Sequence, residues 1–131
     1  MIYYENIHKA GRDGRTLLIH AALYKRYDVA KWLIDKGADI EARDSQGYTA
    51  LHSAVLSNCT KIAELLLDKG ADVNARNSFG RTPLLCATHL TTEMVALLMK
   101  RGADPTLQND YGISALQVFM AYPEIMSLLE K

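Results

Sequence analysis

Apolar residues in this chain come in paired short runs at helical spacing, separated by polar stretches that hold most of the glycines. Leu17, Leu18, Ala21 and Ala22 form one run and Val29, Ala30, Trp32, Leu33 and Ile34 the next. Leu51, Ala54 and Val55 are followed by Ile62, Ala63, Leu65, Leu66 and Leu67, and Leu84, Leu85 and Ala87 by Met94, Val95, Leu97 and Leu98. Recurrence at three and four residues marks one face of a helix, so each pair predicts a helical hairpin. Thr16, Thr49, Thr82 and Ser114 stand just before the first run of a pair, where a hydroxyl accepts from the free N–H groups of a first helical turn. Pro83 follows Thr82 at a position whose N–H has no partner. Gly37, Gly70 and Gly102 stand just past the second runs, where a left-handed residue closes a helix.

The pairs repeat. Gly14, Gly47, Gly80 and Gly112 are spaced 33, 33 and 32 residues apart, and the capping residues Thr16, Thr49, Thr82 and Ser114 share those spacings. Gly-Ala-Asp recurs at 37–39, 70–72 and 102–104. Self-similarity at this period implies a stack of small units, none of which buries its apolar face alone. Asp39, Asp72 and Asp104 recur in every joint, which assigns their carboxylates to the turns. Asp28, Lys31 and Asp35 make a charged stripe whose members can pair along an exposed helix surface.

With this period and the segments Thr16-Leu17-Leu18-Ile19-His20-Ala21, Thr49-Ala50-Leu51-His52-Ser53-Ala54 and Thr82-Pro83-Leu84-Leu85-Cys86-Ala87, the chain resembles the ankyrin-repeat family from about residue 5 to 131. The resemblance implies an all-α solenoid of about four helix-turn-helix repeats joined by β-hairpin-like fingers. It divides one domain, 1–131, into an N-terminal cap or partial repeat (1–13), repeats at 14–46, 47–79 and 80–111, and a degenerate capping repeat (112–131). Two readings of the N-terminus stay open: a hairpin of a truncated preceding unit, or a short helix from Ile2 to about His8. In either, Tyr3, Tyr4 and Ile7 cover the first unit's apolar side. Lys25 takes the place where the family has glycine between the helices, and Asn58 the same place one unit later. From Thr82 to Gly102 one residue is missing relative to the earlier units, and the gap is expected near His89 to Glu93. In the last unit Phe119 stands where Ala21, Ala54 and Ala87 stand earlier, which is expected to block a further repeat. Pro123 is expected to end one helix, with a short final one over 125–131.

Composition narrows the function. Hydrophobic residues make up 49% and charged ones 23%, and fifteen basic residues balance fifteen acidic ones, which argues against nucleic acid or an anionic membrane as the main partner. No apolar run reaches membrane-spanning length and no secretory leader is visible, so a cytoplasmic location is expected. Cys59 and Cys86, 27 residues apart, fit no metal or redox spacing and read as reduced thiols. Histidines at 8, 20, 52 and 89 form no i, i+4 pair. His52 falls on the signature histidine, whose family role is hydrogen bonding to neighbouring loops, and His20 is expected to be packed and hydrogen-bonded too. Neither a phosphate-binding glycine loop nor a nucleophile elbow is present, so no enzyme, cofactor or metal is expected.

The resemblance also implies where binding occurs, since in the family the finger tips and the exposed side of the first helices line a concave groove for other proteins. Carried onto this chain, the groove takes Tyr24 from the first unit and Gln46, Tyr48 and Leu56 from the second. The third supplies Phe79, Arg81, His89 and Leu90, and the fourth Tyr111, Ile113 and Tyr122. Twenty residues at the corresponding positions of the four units hold five of the ten aromatics, the residue types that concentrate binding energy. Phe79, Tyr111 and Tyr48 are the expected apolar anchors and Arg81 the charged contact. A monomer is expected to bind a protein through this groove. The alternatives are a stand-alone inhibitor of the immunity or kinase-inhibitor kind, and an assembly element stacking through its ends.

Overall fold

A computed structural model describes residues 9–88 and 91–130. Seven α-helices follow one another among them: α1 (Leu17–Leu23), α2 (Tyr27–Asp35), α3 (Ala50–Leu56), α4 (Thr60–Asp68), α5 (Thr92–Lys100), α6 (Ala115–Val118) and α7 (Pro123–Leu129). A 3-10 turn, Leu84–Cys86, stands where the third unit's first helix is expected. They stack in two rows. α1, α3, the 3-10 turn and α6 touch in sequence to form the inner row, and α2, α4, α5 and α7 the outer one. The expected all-α solenoid of about four units is the observed architecture.

Local chemistry sets the boundaries. The Thr16 hydroxyl accepts from the Ile19 N–H, and Thr49 and Ser114 form full capping boxes with His52 and Gln117. At the other end, α2 closes over Gly37 (φ 92°): the Gly37 N–H donates to the Ile34 carbonyl and the Ala38 N–H to Leu33, and the same pair of bonds recurs at Gly70 and Gly102. Alanines 21, 22, 30, 54 and 63 are buried at the helix contacts, so neighbouring units approach closely around Leu18, Leu33, Leu51, Ile62, Leu66, Leu84, Met94 and Leu98. In the joints, Asp39, Asp72 and Asp104 each accept through Oδ1 from the N–H two residues on, as expected. Lys31 pairs with Asp35 at 3.5 Å along the α2 surface.

Four expectations change. The third inner segment is a 3-10 turn rather than a helix. In the first two units the chain leaves the inner helix through a left-handed residue, Lys25 (φ 59°) or Asn58 (φ 57°), across which Arg26 N–H reaches Ala21 and Cys59 N–H reaches Ala54. With one residue fewer the third unit leaves early: Ala87 turns to ψ 59° and Thr88 N–H bonds Cys86. Second, Pro123 opens α7 at its first turn rather than ending α6, which already stops at Val118. Third, the Phe119 ring does not project as a block; it is buried in the core cluster with Ile125 and Leu129 of α7. Fourth, His20 is exposed and lies against the Tyr24 ring, 4.5 Å between centroids. One residue of helix is a turn of about 100°, so Ile19 takes the buried place that His52 takes one unit later, and His20 faces out. Tyr3, Tyr4, Ile7 and the proposed helix Ile2–His8 lie outside the described residues.

Candidate protein-binding face

The fingers are tight loops held by their own side chains. In each of three, an Asp or Asn accepts through Oδ1 from the N–H groups two and four residues on: Asp44 from Gln46 and Tyr48, Asn77 from Phe79 and Arg81, Asn109 from Tyr111 and Ile113. The backbone closes the loop, with Asp44 N–H donating to Tyr48 and Asn77 N–H to Arg81. These bonds fix the direction in which residues 46, 79 and 111 leave the tips.

Fingers are then tied side by side. Ser45 N–H donates to the Asp13 carbonyl at 2.8 Å, Ser78 N–H to Gln46 at 3.0 Å and Asp110 N–H to Phe79 at 2.9 Å. Arg43 donates to its own finger at Gly47 and to the next at the Arg76 carbonyl; Arg76 does the same with Gly80 and the Gln108 carbonyl. The approach is close enough that a Cβ on Gly47 would lie 2.7 Å from Ser78 N. Glu41 accepts from the Asp72 N–H and Asn74 from the Asp104 N–H, completing the tie at the base.

His52 locks finger to helix. Its Nδ1 accepts from the Thr49 N–H and hydroxyl, so Nε2 carries the proton and donates to the Arg81 carbonyl of the next finger at 2.9 Å. Burial pushes the imidazole down to about 4, against the pull of the Arg81 carbonyl, which keeps it neutral near pH 7. Burial likewise pushes the Cys86 thiol up to about 12, far from a nucleophile's range. Among the described residues no three His, Cys, Asp or Glu side chains gather as metal ligands, and no helix is long and apolar enough to cross a membrane.

On this frame the expected groove residues separate into two kinds. Phe79 is 43% and Tyr111 79% exposed, on adjacent fingers joined by the Asp110–Phe79 backbone bond. Tyr24, Ile113, Tyr122 and Gln46 are exposed as well. Tyr48 is half-buried, its ring edge-on to His52 at 5.6 Å, so part of its surface serves the fold. Leu56 and Arg81 are half-buried, Leu56 against the core. His89 and Leu90 lie outside the described residues. Sequence reasoning missed the Asx turns of Asp44, Asn77 and Asn109 and the arginine ties of Arg43 and Arg76. Both sets were present at the repeat spacing, 33 and 32 residues apart for the first and 33 for the second.

Comparison with protein families matches a model described as ankyrin repeats in three copies to residues 2–77, and a single ankyrin-repeat model to residues 79–110. The matches stop short of the last unit, where α6 is reduced to four residues. Comparison with curated proteins finds no significant match. Ankyrin repeats are generally protein–protein interaction modules, and by period, hairpin geometry and matched extent the chain belongs to the ankyrin-repeat family.

Proposed function

We propose that the chain binds a protein partner in its concave groove, with Phe79 and Tyr111 as the apolar anchors. The observation that carries this is the pair of aromatic rings left in water on fingers that are themselves rigidly hydrogen-bonded. Neither ring is needed to close its finger, which the Asn77 and Asn109 side chains do. Tyr24 and Tyr122 flank them from the inner row and Arg81 supplies a charged contact. Because the fingers are already tied to one another, docking orders little chain, and less binding energy is lost to entropy.

The chemistry of the face favours a protein over nucleic acid. Its tips carry both signs, Arg12, Arg15 and Arg81 against Asp13 and Asp110, and Arg15 Nε already lies 3.2 Å from Asp13. Two free thiols, one of them inert, fit a reducing compartment such as the cytoplasm. In this proposal the units begin at Gly14, Gly47, Gly80 and Gly112.

The test uses the chain and its Phe79→Ala/Tyr111→Ala variant as parallel baits in extract from the native source, with captured proteins identified by mass spectrometry. A protein held by the first and lost from the second is the expected result; identical captures would refute the groove as the site. Should the captured protein be an enzyme, loss of its activity at equimolar addition distinguishes an inhibitor from an adaptor.

A further inference from the structure

One loop carries both an aromatic ring and a guanidinium. Asn77 Oδ1 accepts from the Phe79 and Arg81 N–H groups, each at 2.9 Å, and the Arg81 carbonyl is held in turn by His52 Nε2. On the next finger Asn109 Oδ1 fixes Tyr111 and Ile113 in the same way, at 2.9 and 3.0 Å, and the Asp110–Phe79 backbone bond joins the two loops. The third and fourth fingers therefore present a two-by-two array whose backbone is fixed: Phe79 in register with Tyr111, and Arg81 with Ile113, which is 41% exposed. Three members are apolar or aromatic and one is charged.

That charge has no counter-ion in the fold. Arg15 Nε lies 3.2 Å from Asp13, Arg43 and Arg76 donate to neighbouring carbonyls, and Asp44 Oδ1 accepts from two N–H groups. Arg81 is half-buried, yet among the described residues no carboxylate pairs with its guanidinium. A guanidinium is a planar fork that matches a carboxylate, and it is more weakly hydrated than an ammonium. The fingers use it to the exclusion of lysine: five of the chain's seven arginines stand in the finger segments 12–15, 43–48 and 76–81, and none of its eight lysines does.

The row of tips also has a direction. Two residues before the glycine of each finger stand Arg12, Ser45, Ser78 and Asp110, so the row runs from a basic tip to an acidic one. A carboxylate on a partner is attracted toward the first finger and repelled at the fourth. A nucleic-acid backbone needs a continuous track of cations, which the Asp13–Arg15 pair and Asp110 interrupt.

We infer that the partner offers the groove a linear segment in which an Asp or Glu side chain accompanies a large apolar one, the apolar side chain lying over Phe79 and Tyr111 and the carboxylate on the Arg81 guanidinium. This rests on the groove proposed above and adds the chemistry of what fills it. The row of fingers continues on both sides of Arg81, to Tyr48 in one direction and Ile113 in the other, so the carboxylate belongs to a side chain within the segment rather than to a chain terminus. The segment lies with its acidic part toward the second finger and away from Asp110.

The probe is a displayed library of random peptides of about twelve residues, long enough when extended to cross the four fingers, selected on the full chain. The expected result is enrichment of Asp or Glu within a few residues of a large apolar side chain. An enriched peptide, made synthetically, is expected to bind Arg81→Gln at least about tenfold more weakly than the unmodified chain. Selection on Arg81→Glu is expected to put Lys or Arg in place of the acidic residue. Both variants keep the backbone bonds of residue 81, and an unchanged melting temperature checks that the fold is intact. Peptides that bind Phe79→Ala/Tyr111→Ala as tightly as the unmodified chain would lie outside the groove and refute that reading together with this one. Peptides lost from that variant but held equally by Arg81→Gln would leave the groove standing and overturn the inference. Enrichment of basic or uncharged sequences, or of no sequence at all, would overturn it too.

Discussion

Lys25 and Asn58 occupy the same turn of successive units and share a left-handed backbone, but the strain differs. A lysine Cβ meets the following carbonyl in that conformation, at about 1–2 kcal/mol, whereas asparagine tolerates it better. Lys25→Gly is expected to raise the unfolding free energy in urea by about 0.5–1 kcal/mol, after allowing for the extra freedom glycine gives the unfolded chain. A loss of stability would mean that Lys25 does not hold this conformation in solution. His52 makes a second prediction at this scale. Its folded value of about 4 lies below the ordinary 6.5, so the unfolded chain binds more protons between those limits. Stability from this residue is complete above pH 6.5 and falls as the pH drops toward 4, by about 3 kcal/mol in all. His52→Gln has nothing to titrate and can keep the capping bond, as Gln117 does in the last unit. Urea unfolding at pH 7 and pH 4.5 is expected to show the smaller acid loss in the variant, and equal losses would contradict the burial of a neutral imidazole.

At the level of elements, the third unit is the weak one. Its inner segment makes only 3-10 bonds, from Cys86 to Pro83 and Ala87 to Leu84, where α1 and α3 each complete a helix. Amide exchange is therefore expected to be faster over residues 84–88 than over Ser53–Leu56, and equal protection would show that the missing residue does not cost the inner row a helix. The deletion itself was legible, because Thr82 and Gly102 stand one residue closer than their counterparts. Its consequence was not, since whether a shortened turn costs a helix depends on the left-handed closure the chain can no longer make. The other helices were legible because Thr16, Thr49 and Ser114 cap them and Gly37, Gly70 and Gly102 close them within the repeat. Phe119 was misread for a physical reason: its place in the period said which residues it replaces, not that α6 would end at Val118 and turn its ring inward. Exposure is a tertiary property, so the spacing that located the finger tips did not show that Tyr48 leans on His52 while Tyr111 stands in water.

For the whole molecule, the hydrogen bonds that hold the fold also fix where the finger tips point. Arg43 and Arg76 tie each finger to the next, His52 ties an inner helix to a finger, and the outcome is a row of tips whose directions are set before any partner arrives. If the proposed groove is the site, stability and binding are separable: the tip rings can change while the ties remain. Isothermal titration of the captured partner against the chain and against its Phe79→Ala/Tyr111→Ala variant tests that separation most directly. The account predicts an unchanged melting temperature and affinity at least about tenfold weaker, some 1.4 kcal/mol. Equal affinity with the fold intact would contradict it.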